Sequence, residues 1–249
     1  MPSVPQLSMV MPTYNERERL EELVTAIFSA AQARNLNLEL VIVDDNSPDG
    51  TGALADALAS RYPVKVVHRA GKLGLGTAVL EGFQAASADV VGVMDADFSH
   101  PPALVPRLYE AFQQTSADVV VGSRYIPGGS TPDWPWKRRM LSRLGCVLAR
   151  GLSPVRDATS GFFLIRRDIA QQAVIKAGGF KICLELIARS GARRLVELPY
   201  RFDDREAGDS KMSTREALGY LVQLRDLYLR QFKTGKPRRD YVRLPPPGV

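Results

Sequence analysis

Four short apolar runs in this chain each end in polar, chemically capable residues, and helical patterns follow most of them. Leu7 to Met11 runs into Pro12-Thr13-Tyr14-Asn15-Glu16, and Leu38 to Val43 into Asp44-Asp45-Asn46-Ser47-Pro48-Asp49-Gly50. Val90 to Met94 runs into Asp95-Ala96-Asp97, and Asp118 to Val121 into Gly122-Ser123-Arg124. Short apolar runs bounded by turn formers read as buried strands. Their alternation with helices predicts an α/β fold, a mostly parallel central sheet with helices on both faces. Ligands of such sheets bind outside the carboxyl ends of the strands, so chemistry is expected along one edge.

Residues 16–33 predict a helix with Leu20, Leu23, Val24, Ile27, Phe28 and Ala31 on one face, and 51–60 and 77–87 predict two more. After Arg124, Pro127-Gly128-Gly129-Ser130-Thr131-Pro132 interrupts regular structure and predicts a mobile loop that could act as a lid. In the stretch Trp136 to Gly151, Trp136, Met140, Leu141, Leu144, Val147 and Leu148 recur at helical spacing, with Arg138, Arg139, Ser142, Arg143 and Arg150 on the other side. Such a helix suits either packing on the core or a membrane surface. Residues 1–232 are expected to form a single domain, and the basic, proline-rich 233–249 a disordered tail. No internal repeat is present.

The 249 residues, 45% of them hydrophobic, suffice for one large α/β core. A net charge of +6 fits phosphorylated substrates or an anionic membrane surface as well as plain solubility. A nucleic-acid module is not expected, because the basic residues are not interleaved with stacking aromatics. Cys146 and Cys183 lie in apolar stretches without metal-ligand spacing and are expected to be buried free thiols in a reducing compartment. The N-terminus enters the first strand with no apolar signal region, and no window reaches the roughly 18 apolar residues that span a bilayer. No transmembrane anchor is expected.

Asp95 and Asp97 would repel each other unless a cation lay between them, and a divalent metal carrying a nucleotide diphosphate is the economical candidate. A polar turn or helix N-cap is the alternative.

Six stretches in this order resemble a known family: Pro12-Thr13-Tyr14-Asn15-Glu16, Val43 to Thr51, Lys72-Leu73-Gly74-Leu75-Gly76, Asp95-Ala96-Asp97, Gly122-Ser123-Arg124-Tyr125, and Asp204-Arg205 with Gly208, Ser210 and Lys211. Together they cover roughly residues 7 to 232 and resemble inverting glycosyltransferases of family 2, most closely the polyprenyl-phosphate (dolichol-phosphate) mannosyltransferase branch. The resemblance implies a GT-A, Rossmann-like nucleotide-diphospho-sugar transferase fold. It also implies a nucleoside site made by Pro12, Tyr14, Glu16, Val43 and Asp45, with donor contacts from Lys72, Asp95, Ala96, Asp97, Ser99, Arg124, Arg205 and Lys211.

The resemblance implies that Asp97 ligates Mg2+ or Mn2+, with Asp95 a second ligand or a sugar contact, and that Arg205 and Lys211 close over the diphosphate, so that Asp97, Arg205 and Lys211 carry the catalysis. Arg124, Arg138 and Ser142 would hold the lipid phosphate. Ser99 departs from the glutamine of some relatives, which leaves the third protein ligand open. Glu185 matches an acid that serves as base for hydroxyl acceptors; an ionised phosphate acceptor needs no base, so Glu185 is expected to be a contact residue. Other readings stand beside these. Glu16 could be a first-turn acid on the helix dipole, Leu73-Gly74-Leu75-Gly76 a close-packed turn, and Arg205 and Lys211 solvated surface charge. His68 and His100 are expected to be structural.

The implied reaction is a single displacement with inversion: a polyprenyl or dolichyl monophosphate attacks the anomeric carbon of GDP-mannose, at the cytoplasmic face of a membrane, with a separate membrane-anchoring protein as a possible partner. Alternatives are a UDP-glucose or UDP-GlcNAc donor, a hydroxyl acceptor with Glu185 as base, a non-catalytic nucleotide-sugar-binding protein, and a nucleotidyltransferase.

Overall fold

The computed structural model describes residues 4–173, 175, 181–203 and 214–246, with the backbone alone for 214–216. In chain order the first half runs β1 (Leu7–Thr13), α1 (Arg17–Gln32), β2 (Leu38–Asp44), α2 (Thr51–Ala59), β3 (Val64–His68), α3 (Leu75–Ala85), β4 (Val90–Val93), α4 (Val105–Thr115) and β5 (Val119–Ser123). The second half runs α5 (Trp136–Leu148), β6 (Phe163–Arg166), α6 (Arg167–Gln172), α7 (Ile182–Arg189), β7 (Arg194–Pro199), α8 (Thr214–Thr234) and β8 (Asp240–Arg243).

Among the described residues the strands form one eight-stranded sheet in the order β3-β2-β1-β4-β6-β5-β7-β8. β6 is antiparallel to both β4 and β5, and every other pairing is parallel. The expected α/β, mostly parallel sheet is therefore present, with one reversed strand in its middle. Because strand side chains alternate between faces, each strand feeds two cores. Met9, Met11, Leu40 and Ile42 pack under α1, α2 and α4, whereas Val10, Val41, Val91 and Val93 pack with α3, α6, α7 and α8. Fully burying one such side chain is worth about 1.5–3 kcal/mol. α3 lies so close to β1 that a Cβ on Gly82 would stand 2.3 Å from Val10 Cγ1. Any larger residue there would lever the helix off the sheet.

Two expectations are corrected. The stretch from 233 is not all disordered tail: α8 continues to Thr234, and β8 pairs with β7 from Arg194↔Asp240 to Glu197↔Arg243. β8 covers what would otherwise be an open edge on β7, and Arg239 anchors it by donating to the carbonyls of Leu152, Ile187 and Ala192. The Pro127–Pro132 break is likewise tied down. Ser130 forms a bridge with Arg201, its N–H donating to Tyr200 O at 3.1 Å and its carbonyl accepting from Phe202 N at 2.9 Å. Gly129 permits this, since a Cβ there would lie 2.5 Å from Ser123 O.

Candidate active site

The carboxyl ends of β1, β2, β4 and β5 present three adjoining clusters. The first is a cleft of about 320 Å³ lined by Pro12, Thr13, Tyr14, Asp45, Lys72, Gly74, Leu75 and Ala78. Pro12, Tyr14, Asp45 and Lys72, picked from distant stretches of sequence, thus meet in one place. Lys72 Nζ lies 3.4 Å from the centre of the Tyr14 ring, a cation–π contact. Gly74 takes φ +102 immediately before α3, so the Leu73–Gly76 turn has a backbone requirement for glycine as well as its place in the cleft. Asp44 supports the cleft from behind. It is 2% exposed and accepts from Thr13 Oγ1 at 3.1 Å and Ser47 N at 3.0 Å, fixing the turn that carries Asp45.

Two residues expected at the nucleoside site do not line this cleft. Val43 is wholly buried among Val10, Val41 and Ala78, so its side chain serves the core. Glu16 is the N-cap residue of α1, its backbone N–H donating to Thr51 Oγ1 at 3.0 Å, and it does not line the cleft.

The second cluster is the acid motif. Asp95 keeps 40% of its side chain exposed, whereas Asp97 is buried and its Oδ1 accepts from Ser99 N at 3.1 Å and Ser99 Oγ at 2.6 Å. Ser99 therefore holds Asp97 in place, and Ala96 is buried in the core. His100 Nδ1 accepts the backbone N–H of Asp95 at 2.9 Å, and Nε2 lies 3.8 Å from Asp95 Oδ2. The imidazole stacks on Phe162 at 4.8 Å and meets the edges of Tyr200 and Phe202. Burial lowers its pKa, outweighing the opposing pull of Asp95 and Asp97, and keeps it neutral. Among the described residues no group of three or more His, Cys, Asp or Glu is arranged to hold a metal. Asp95 and Asp97 are hard oxygen donors that would suit Mg2+ or Mn2+ with diphosphate and water completing the shell.

The third cluster is cationic. Arg124 is clamped by Asp157, with Nε and Nη2 each donating at 2.7 Å and the Arg124 backbone N–H at 2.9 Å. Burial works to lower the Arg124 pKa, and Asp157 outweighs it and raises it. The Asp157 clamp takes Nε and Nη2 and not Nη1. Both Arg124 and Arg138 approach Trp134, their Cζ atoms 5.2 and 4.1 Å from the centre of its ring. Ser142 lies beside the buried hydroxyl of Tyr125, outside hydrogen-bonding geometry, and the Tyr125 ring is 5.4 Å from Arg124. Arg124, Arg138 and Ser142 are thereby brought together. A chain of rings, His100–Phe202–Trp134, with centroid separations of 6.0 and 5.2 Å, joins this cluster to the acid motif.

Glu185 is buried between α7 and α8. It is 1% exposed, and its oxygens accept from Arg189 Nε at 2.7 Å and Gln223 Nε2 at 2.8 Å, tying α7 to α8. The contact role expected of it is corrected: burial with paired cation and amide makes it a structural acid. Asp204, Arg205, Gly208, Ser210 and Lys211 lie outside the described residues. Cys146 and Cys183 are buried and free, as expected. What sequence reading missed is Asp157, Trp134, Arg69 and the place of His100; an isolated Asp or Arg carries no local signal of its partner.

A mostly parallel eight-stranded sheet with helices on both faces and polar residues at its strand ends is the GT-A glycosyltransferase fold. In fold the chain is similar to the mannosyltransferase from Pyrobaculum calidifontis in complex with GDP-Man and Mn2+, at TM-score 0.66 and 18% identity over 92% of this chain and 65% of that one. The family description "Glycosyl transferase family 2" matches residues 8–174, and the chain belongs to that family. The dolichol-phosphate mannosyltransferase of Pyrococcus furiosus is 42% identical over 220 residues, 87% of this chain and 62% of that protein. That of Saccharomyces cerevisiae is 37% identical over 238 residues, 91% of this chain and 88% of that protein. This chain thus spans less than two thirds of the length of the Pyrococcus relative.

Proposed function

We propose that the protein transfers mannose from GDP-mannose to a polyprenyl monophosphate with inversion at the anomeric carbon. The observation that carries this reading is the convergence of Arg124, Arg138 and Ser142 beside the acid motif: two cations and a hydroxyl match a phosphate acceptor. The names of the relatives support the same donor and acceptor classes.

Tyr14 and Asp45 would bind the nucleoside, the ring offering a face and the carboxylate accepting from base or ribose. Lys72 would face the donor phosphates. Asp95 and Asp97 would hold Mg2+ or Mn2+, which when bound supplies neutralisation of the departing diphosphate. Arg205 and Lys211 would add cationic charge there. The acceptor phosphate, ionised near neutrality, needs no base; Arg138 and Ser142 would orient it, while Asp157 holds Arg124 in register. A hydroxyl acceptor with Glu185 as base fits less well, because both Glu185 oxygens are already bonded in the α7–α8 interface.

The reaction would occur on a membrane surface. α5 exposes Trp136 (66%), Met140, Leu141, Leu144, Val147 and Leu148, and its polar residues Arg138 and Ser142 turn inward, the reverse of a core-packed helix. α8 lies alongside, with Tyr220 and Tyr228 donating to Gly145 O and Leu148 O, and also exposes Leu218, Leu221, Val222, Leu229 and Phe232 (91%). No helix among the described residues is long and apolar enough to cross a membrane. Two neighbouring helices with apolar outer faces and basic flanks suit a peripheral interfacial mode that brings the lipid phosphate to Arg138.

The test is label transfer from radiolabelled GDP-mannose into lipid, with polyprenyl phosphate in detergent. Transfer should need Mg2+ or Mn2+. Asp97→Asn, which keeps an oxygen for the Ser99 bonds, should lower it on the order of 10²-fold with the fold intact. Transfer only from UDP-sugars, only to soluble hydroxyls, or undiminished by EDTA would overturn the donor, the acceptor or the metal respectively.

A further inference from the structure

Arg69 follows β3 directly, and its side chain is 1% exposed. A guanidinium that deep is costly unless every donor is used, and here they are spread over three segments. Nη1 pairs with Asp45 Oδ1 and reaches Gly74 O at 3.5 Å; Nε donates to Glu81 Oε1 at 3.2 Å; Nη2 donates to Thr77 Oγ1. The Arg69 backbone N–H donates to Asp44 O at 2.9 Å. The Thr77 hydroxyl, in turn, lies 2.8 Å from Gly74 O and 3.0 Å from Leu73 O, so it passes the constraint on to the turn beside Lys72.

Every segment that Arg69 ties is a wall of the cleft that holds Tyr14: the end of β2 with Asp45, the Lys72–Leu75 turn, and the first turns of α3. Arg69 itself does not line that cleft. Asp45 Oδ2, in contrast to Oδ1, accepts no hydrogen bond from a described residue. One carboxylate oxygen is clamped from behind, and the other is left for a donor in the cleft.

We propose that Arg69 is a positioning residue for nucleotide recognition: by holding Asp45 Oδ1, Thr77 and the Gly74 carbonyl together, it aims Asp45 Oδ2 and the Lys72 turn at the nucleoside diphosphate. This rests on the reading of the Tyr14–Asp45–Lys72 cleft as the nucleotide site. A planar fork meeting four acceptors cannot be replaced by a point charge, so the arginine is required for its shape as much as for its charge.

The experiment is calorimetric binding of GDP and UDP to the full chain, with the KM for donor and for polyprenyl phosphate, in wild type, Arg69→Lys, Arg69→Met, Asp45→Ala and the double variant Arg69→Lys/Asp45→Ala. Arg69→Lys keeps the buried charge balance and serves should Arg69→Met fail to fold. Expected is a loss of nucleotide affinity on the order of 10-fold in Arg69→Lys, an unchanged acceptor KM, and little further loss when Arg69→Lys is added to Asp45→Ala, since residues acting through one contact are not additive. Additive losses, or a fall in melting temperature with nucleotide affinity and donor KM intact, would show a purely structural arginine and overturn the inference. If Asp45→Ala weakens binding and Arg69→Lys does not, the inference alone fails. If wild type binds neither nucleotide, the reading of the cleft fails and the inference falls with it.

Discussion

The backbone N–H of Asp95 donates to Nδ1 of His100 at 2.9 Å, so the first acid of the pair is aimed by a histidine five residues further along. An amide N–H can only donate, hence Nδ1 carries no proton and Nε2 carries it, directed toward the Asp95 carboxylate at 3.8 Å. His100→Phe should retain the stacking on Phe162 and lose the acceptor. Leaving that amide unsatisfied costs about 1–3 kcal/mol. The expected outcome is a higher metal requirement for turnover with nucleotide affinity preserved, read from activity against Mn2+ concentration and from GDP calorimetry.

The Arg124–Asp157 clamp and Arg138 separate stability from acceptor binding. Asp157→Ala strands a buried guanidinium and should cost about 3–5 kcal/mol of stability, measured by urea denaturation. Arg138→Ala should leave the melting temperature nearly unchanged. It should raise the KM for polyprenyl phosphate about 10-fold or more, from loss of a charge-assisted bond worth roughly 1.5–3 kcal/mol, with donor KM intact. Equal damage to both substrates would remove Arg138 from the acceptor site.

Vesicle sedimentation tests the two exposed helices. Binding should be reversible, stronger on anionic than on zwitterionic vesicles, and weakened by salt. Leu144→Asp on α5 and Val222→Asp on α8 replace exposed apolar residues, so each should reduce vesicle binding and lipid-linked turnover without lowering the melting temperature. Equal binding by wild type and both variants would exclude this surface.

A pH dependence of stability follows from Glu39, which is 7% exposed and accepts from Ser8 Oγ at 2.6 Å, Ser87 N at 2.8 Å and Ser87 Oγ at 2.9 Å, beside Lys65 Nζ at 2.9 Å. Burial works to raise its pKa, but these partners together hold it below the ordinary 4.5. With the folded value below the unfolded one, the contribution is complete above about pH 4.5 and is lost as pH falls through the folded value. Glu39→Gln should therefore be less stable than wild type at neutral pH, and the gap should narrow in acid, seen in urea midpoints across that range.

The sheet, its helices and the polar edge at its strand ends were legible in the sequence because their causes are local. Apolar runs and helical periodicity belong to neighbouring residues, and the polar residues that end β1, β2, β4 and β5 are written directly after them. Tyr14, Asp45, Lys72, Asp95 and Asp97 stand at the edge where that reading put them. Local pattern could not say which face of α5 turns inward. Its apolar stripe suited either the core or a membrane surface, and the packing of Arg138 and Ser142 against Trp134 and Tyr125 turned the stripe to solvent. Nor could it assign Glu185, whose partner Gln223 lies 38 residues on, or Asp157, which meets Arg124 across 33 residues. Charge pairing in a low-dielectric interior depends on distance in space, and only the tertiary structure sets that distance.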